Sequence, residues 1–370
     1  MLPVTMLIKP VSGLCNMRCT YCFYSGSAAG REMKSYGTMN METLETLTRK
    51  AIDYADGVCS FMFQGGEPTL AGLDFYKKLI AFQKKYNRKN VRILNAIQTN
   101  GYEMSEGFAE FLSEHHFLVG LSLDGTEEIH DRMRIGQNGG KTYGKAVKTA
   151  KMLQQYNVEF NILCVVNDLI AEEPEKVYAA LKKYRFLQFI PCIDPLGGEK
   201  VSLTPEKYAD FLKRTFDRYY KDFIHGRAVS VRNFDNYIDM LIGNPPESCA
   251  MNGVCSCYFL IEGDGSVFPC DFYVSENWKL GNVNKDSFAR IVKSAAAQNF
   301  IDCSAYISPP CLECGWYPLC RGGCRRDREP FLDGKPRLNK YCAAYKEFFA
   351  YAYDRMVKMA EVLKSVGSLR

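Results

Sequence analysis

Several features that would point elsewhere are missing from this 370-residue chain. Charge is nearly balanced, Lys+Arg 47 against Asp+Glu 42 for a net +5, so no basic field argues for nucleic acid. No apolar run reaches the ~18 residues of a membrane span. No basic stretch followed by an apolar core and a small-residue cleavage site opens the chain. The expectation is a cytoplasmic protein with no membrane and no nucleic-acid partner. There is also no internal repeat and no low-complexity tract, which leaves a globular chain long enough for one large domain or two medium ones.

Cysteine, by contrast, is abundant: sixteen residues, eleven of them in two ordered sets. In the reducing cytoplasm such a chain points to metal binding rather than to a disulfide framework. The first set is Cys15, Cys19 and Cys22, directly after an apolar run; the second is Cys249, Cys255, Cys270, Cys311, Cys314, Cys320, Cys324 and Cys342. Three clustered thiolates hold a centre but leave it one ligand short, open to substrate or cofactor, whereas eight can close two further centres. The bland alternatives are an incomplete zinc knuckle for the first set and two zinc sites for the second. Of the five remaining cysteines, Cys59 and Cys164 fall in strand-like runs and read as packing. Cys257 competes with Cys255 as a ligand, while Cys192 and Cys303 carry no signal.

Strand-like runs at 4–8, 59–63, 91–98, 117–123, 158–166 and 186–190 alternate with helical patterns at 73–86, 106–115, 143–156 and 173–184. Another helical stripe, Met41, Leu44, Thr48, Ala51 and Ala55, stands behind an Asn40 cap. Several runs are apolar on both faces, as buried parallel strands are. This rhythm predicts an α/β fold with a parallel sheet, either doubly wound or curled into a partial barrel. It breaks after about residue 195, with a loop at 194–198, a helix at 205–224 and a Gly-Asn-Pro-Pro boundary at 243–246. A hairpin signal at 258–261 and 266–268 and a closing helix at 341–365 complete the pattern.

Cys15-x3-Cys19-x2-Cys22, with Tyr21 before the third cysteine, resembles the signature of the radical S-adenosylmethionine superfamily. The resemblance implies a four-iron four-sulfur cluster on these thiolates, with S-adenosylmethionine chelating the fourth iron. Reductive cleavage of that cofactor then yields a 5′-deoxyadenosyl radical. Gln64-Gly65-Gly66-Glu67-Pro68 is similar to the family's cofactor-contacting motif. By the same resemblance Tyr21, Gly66, Ser122, Arg134 and Ile193 contact the cofactor. Ser122 as a strand-end hydroxyl and Arg134 as a solvated charge are the plain alternatives.

The run Cys255-x9-Gly265-x4-Cys270, Cys311-x2-Cys314-x5-Cys320-x3-Cys324 and Cys342 resembles the SPASM extension of peptide-modifying radical enzymes. It implies one auxiliary cluster on Cys249, Cys255, Cys270 and Cys324 and another on Cys311, Cys314, Cys320 and Cys342, hence three [4Fe-4S] clusters in all. The strings CTYCFY, FQGGEPTLAG, QTNG, GLSLDG, NILCVVN, DGSVFPCDFY and CRGGCRR together resemble the anaerobic sulfatase-maturating enzymes over nearly the whole chain.

The fold so implied is a partial (β/α)6 barrel over 1–235 and a SPASM module over 236–370. The implied reaction is oxidation of a sulfatase cysteine or serine to Cα-formylglycine by hydrogen abstraction at Cβ, deprotonation and electron transfer to the auxiliary clusters. Asp271, next to Cys270, aligns with the family's proton acceptor, and Tyr24 and Gln98 are candidates to line the peptide site. The partners implied are an unfolded sulfatase segment around Cys/Ser-x-Pro-x-Arg and a low-potential donor such as flavodoxin or ferredoxin. Two rivals stand beside this: a SPASM maturase forging thioether or carbon–carbon crosslinks, and a non-enzymatic iron–sulfur electron carrier.

Overall fold

The computed structural model describes residues 3–24, 33, 35–194 and 202–367. Of the loop expected at 194–198, residues 195–198 lie outside the described residues. The strands in chain order are β1 (Val4–Ile8), β2 (Val58–Phe63), β3 (Arg92–Thr99), β4 (Leu118–Ser122), β5 (Phe160–Val166), β6 (Phe186–Pro191), β7 (Ser230–Val231), β8 (Leu260–Ile261), β9 (Ser266–Phe268) and β10 (Gly281–Asn282). The chain groups into two compact units, each drawn from separate stretches: Met1–Leu123 with Asp131–Phe160 and Ser256–Phe300, and Asp124–His130 with Asn161–Cys255 and Ile301–Arg370. These units interleave along the chain.

In the first unit the strand order is β10-β9-β8-β1-β2-β3-β4. β1 to β4 run parallel, β8 joins β1 in parallel through Leu7↔Leu260 and Ile8↔Ile261, and β8 and β9 form the expected antiparallel hairpin. The pairing of that hairpin with the first strand has no local sequence signal, because its partners lie some 250 residues apart.

Side chains alternate along these strands. Val4, Met6 and Ile8 of β1 and Cys59, Phe61 and Phe63 of β2 are buried. On the other face of β2, β3 and β4, Met62, Leu94, Gln98 and Leu118 stay exposed. The expectation of strands buried on both faces is thus corrected here. Helices cover one face and leave the other open, which an apolar run alone does not disclose.

The helices are α1 (Met41–Tyr54), α2 (Leu73–Tyr86), α3 (Glu106–Glu114), α4 (Glu127–Met133), α5 (Tyr143–Gln155), α6 (Asp168–Glu172), α7 (Pro174–Leu181), α8 (Pro205–Ile224) and α9 (Arg232–Ile242), followed by helices at Phe288–Val292 and Ala295–Ser304, single helical turns at Pro309–Leu312 and Tyr317–Cys320, and a C-terminal helix at Cys342–Gly367. Asn40 caps α1 by accepting from the Thr43 N–H at 2.7 Å, satisfying one of the orphan donors of the first turn. Leu44, Leu47, Ala51 and Ile52 form its buried face, while Met41, expected in that stripe, is exposed at the first turn. α4 and α9 had no clear sequence signal.

In the second unit β5, β6 and β7 are parallel neighbours. There α8, α9 and the C-terminal helix bury an aromatic core. Phe216 and Phe234 lie 5.2 Å apart, and Phe348 is 5.5 Å from Phe234. Each such fully buried ring contributes on the order of 1.5–3 kcal/mol.

Candidate functional site

The side chains of interest in the first unit gather where parallel strands end, the edge at which α/β sheets place their chemistry. Lys9 follows β1, Gln64 to Glu67 follow β2, Thr99 ends β3 with Asn100 next, and Ser122 ends β4. The cysteine loop follows β1 as well.

That loop is clasped from two sides. On one, the Gly66 N–H donates to the Ser12 carbonyl at 2.9 Å and the Glu67 N–H to the Leu14 carbonyl at 2.8 Å. A Cβ on Gly66 would lie 2.0 Å from the Leu14 oxygen, so glycine is demanded by the chain's own backbone at this point. On the other side, the Arg18 N–H donates to the Ile135 carbonyl at 2.7 Å and the Thr20 N–H to the Met133 carbonyl at 2.9 Å. The buried Arg134 guanidinium lies 5.5 Å from the centre of the Tyr21 ring, so the solvated-charge alternative for Arg134 does not hold. Ser122 is also buried.

Glu67 is enclosed, and its carboxylate accepts from the Thr69 N–H and hydroxyl at 3.1 and 2.7 Å, the Thr99 hydroxyl at 2.8 Å and the Asn100 N–H at 2.7 Å. Burial pushes this carboxyl above its ordinary range, and those donors oppose the push. Burial likewise raises the Cys15 thiol, opposed by the Met17 N–H at 3.4 Å and the Asn100 amide at 3.6 Å.

Asp271 belongs to the same unit. Its Oδ2 accepts from the Gln64 amide at 2.8 Å and from the Tyr24 hydroxyl, and its Oδ1 pairs with the Lys9 ammonium. Lys9 is completely buried, 3.5 Å from the equally buried Glu262 and 4.4 Å from the centre of the Tyr24 ring. The parallel pairing of β8 with β1 builds this cluster, since it carries Glu262 and then Asp271 to the end of β1. Gln98 sits on the exposed face of β3, opposite the buried Ile97 and Thr99. Sequence reading singled out Tyr24 and Asp271 but missed Lys9, Glu67, Asn100 and Glu262; the GGEP and QTNG strings held the only signal for two of them.

In the second unit Cys311, Cys314, Cys320 and Cys342 lie near one another. Burial, together with the other three cysteines and against the opposing Gly322 N–H, pushes the Cys320 thiol up to about 11. Cys342 in turn feels Cys311 and Cys314. Cys249 neighbours Cys255, whose thiol is raised by burial against the opposing Ser304 hydroxyl and Arg325. The Cys324 sulfur accepts from the Arg326 N–H at 3.4 Å. Ile193, half-buried after β6, is in this unit, whereas Cys270 is in the first.

These donor sets suit iron–sulfur clusters: soft thiolates in groups, with coordination to iron offsetting the burial that otherwise holds the thiols protonated. Among the described residues no three Cys, His, Asp or Glu side chains converge tightly enough for a single ion. A four-iron cube binds one sulfur per iron and does not need such convergence. Beside Cys15, the buried Asn16 Nδ2 lacks a hydrogen-bond partner, a donor left for a bound group.

The radical SAM superfamily model matches residues 10–181, and the SPASM iron–sulfur cluster-binding domain matches residues 249–315. A cysteine-type anaerobic sulfatase-maturating enzyme of Clostridium novyi is 46% identical, with 97% of this chain and 98% of the relative covered. A serine-type enzyme of Bacteroides thetaiotaomicron is 30% identical over 98% of this chain and 92% of the relative. The solved structure of native anSMEcpe with bound AdoMet superposes with a TM-score of 0.94 at 46% identity, covering 98% of this chain and 100% of that one. With its parallel sheet, its cysteine sets and near-complete coverage by these relatives, the chain belongs to the anaerobic sulfatase-maturating enzymes of the radical S-adenosylmethionine superfamily.

Proposed function

We propose that Asp271 is the base in the reaction this family performs, and that the three cysteine sets hold the centres driving it. The chain is an oxidoreductase that converts a cysteine or serine of a sulfatase to Cα-formylglycine, acting on a peptide substrate. When bound, S-adenosylmethionine and the iron–sulfur clusters supply the hydrogen-atom acceptor and the electron carriers. The protein's own task is to bind the peptide, take one proton and keep side reactions out.

The observation that carries the base assignment is the tethering of Asp271. Tyr24 and Gln64 fix one carboxylate oxygen and Lys9 the other, so the group is oriented before substrate arrives. Loss of a hydrogen atom from the substrate Cβ leaves a carbon radical beside sulfur. The neighbouring thiol then gives up its proton, to Asp271, as one electron leaves, and a carbon–sulfur double bond forms. Water adds to the resulting thioaldehyde, and hydrogen sulfide leaves as the aldehyde forms.

Cys15, Cys19 and Cys22 are the proposed ligands of the radical-generating cluster, with Tyr21, Gly66, Ser122, Arg134 and Ile193 around the cofactor. Cys249, Cys255, Cys270 and Cys324, and Cys311, Cys314, Cys320 and Cys342, are the proposed auxiliary ligands. Residues 1–235 form the catalytic domain and 236–370 the auxiliary module. Tyr24 and Gln98 line the peptide site. Cysteine is the proposed target residue, because the cysteine-type relatives are 46% identical and the serine-type relative 30%. The substrate is a segment around Cys/Ser-x-Pro-x-Arg, presented extended and unfolded in the cytoplasm, where proline biases the preceding residue away from helix. A flavodoxin or ferredoxin is the electron donor. Among the described residues no helix is long and apolar enough to cross a membrane.

The test is anaerobic turnover of a short cysteine peptide carrying that motif, deuterated at Cβ. The expected product is about 19 mass units lighter than the deuterated peptide, about 18 for the unlabelled one, with label in 5′-deoxyadenosine. A loss of about two mass units with sulfur retained in a crosslink would instead establish the thioether-forming rival.

A further inference from the structure

Asn100 is fixed in a way its place after a strand does not require. Its backbone N–H donates to Glu67 Oε2 at 2.7 Å, and its side-chain Oδ1 accepts from the Tyr102 N–H at 2.8 Å. With the oxygen so committed, the amide cannot flip without facing one N–H with another. The Nδ2 group therefore points to the cysteine loop, donating to Asn16 Oδ1 at 2.8 Å and lying 3.6 Å from Cys15 Sγ. The residue is only 9% exposed, so water does not compete freely for either hydrogen.

We infer that Asn100 sets the reduction potential of the centre held by Cys15, through its N–H···S hydrogen bond. The inference rests on the assignment of Cys15, Cys19 and Cys22 as ligands made above. A donor aimed at a ligating sulfur stabilises the more negative, reduced cluster and so raises its potential. The Met17 N–H also reaches this sulfur, at 3.4 Å, but it is backbone and comes with the loop's conformation. Asn100 is the side-chain donor that the sequence can change. Glu67 acts behind it, anchoring its backbone by one carboxylate oxygen while the other accepts from Thr69 and Thr99.

The experiment is an EPR-monitored redox titration of the anaerobically reconstituted full-length protein, without cofactor or peptide, for wild type, Asn100→Asp and Asn100→Ala. Asn100→Asp keeps the side chain's shape and its acceptor for Tyr102 while replacing the donor with a carboxylate. Asn100→Ala removes the donor without adding a charge, and removes the acceptor for Tyr102 with it. A parallel sample with Cys15, Cys19 and Cys22 all changed to Ala identifies, by difference, the signal belonging to this centre.

Both Asn100 variants are expected to retain full iron while their midpoint falls. At a fixed donor potential the reduced fraction should drop at least tenfold, equivalent to 59 mV for a one-electron couple, and further in the aspartate variant. Signals that persist in the triple variant should not move. An unchanged midpoint in both Asn100 variants overturns the inference, as does loss of iron from both, which would make Asn100 a packing residue. A triple variant that loses no signal refutes the ligand assignment itself and takes the inference with it.

Discussion

Gln64 and Asp271 stand 207 positions apart in the chain and meet through one hydrogen bond, the amide nitrogen donating to Asp271 Oδ2 at 2.8 Å. The bond joins the end of β2 to the segment after β9, and Tyr24 donates to the same oxygen from the cysteine loop. A carboxylate held by two donors on one oxygen is aimed before it acts. Asp271→Asn preserves the size and part of this bonding but cannot take up a proton. Cofactor cleavage should stay measurable while formylglycine yield falls about 10²–10⁴-fold, the usual contribution of a positioned base. Quantifying 5′-deoxyadenosine and product together checks this; undiminished product would remove Asp271 from the mechanism.

Gly66→Ala should damage the cysteine loop rather than the sheet. The added methyl would meet the Leu14 carbonyl at 2.0 Å, and neither partner is a flexible side chain. The cost expected for such overpacking is about 1–3 kcal/mol, with a lower Tm and reduced iron content after reconstitution. Normal iron content with an unchanged Tm would show that the loop gives way freely.

Removing the charge of Lys9 should be among the more damaging single changes in the first unit. Lys9→Met removes the cation that pairs with the buried Glu262 and Asp271, and breaking a buried pair costs about 3–5 kcal/mol. A denaturant melt should show the midpoint falling accordingly. Lys9→Met combined with Glu262→Gln should recover part of the loss, because the mutual repulsion is relieved. Equal stability of the single and double variants would show that Glu262 and Lys9 are not coupled.

Cys59 should be chemically silent in the folded protein. It is fully enclosed on β2, and burial pushes its thiol up to about 12, so almost no thiolate exists at neutral pH. Iodoacetamide at pH 8 should leave Cys59 unmodified until the chain is unfolded, as read by peptide mapping. Rapid native labelling would contradict the packing role.

The parts of this architecture visible in the sequence were those with local causes. Asn40 declared the start of α1, short apolar runs declared β1 to β6, and a Glu-Gly-Asp-Gly turn declared the hairpin of β8 and β9. The open sheet face stayed hidden because Met62, Leu94 and Leu118 are apolar whether or not a helix covers them. The cluster around Asp271 stayed hidden for another reason. Lys9 and Glu262 look like ordinary surface charges in their local strings, and only long-range pairing between β1 and β8 brings them together. Asn100 lay within a quoted motif, yet nothing in the string QTNG indicates which way its amide points.

The parallel seam between β1 and β8 also bears on modularity. A chain cut near residue 235 would keep β1 to β4 yet lose β8, baring the edge of β1, an unpaired row of backbone groups of the kind that templates aggregation. The same cut would strip Lys9 of both its carboxylates. The segment carrying the later cysteines is therefore not a detachable accessory. Residues 1–235 transplanted alone would need a different covering for β1 and a different neighbour for Lys9.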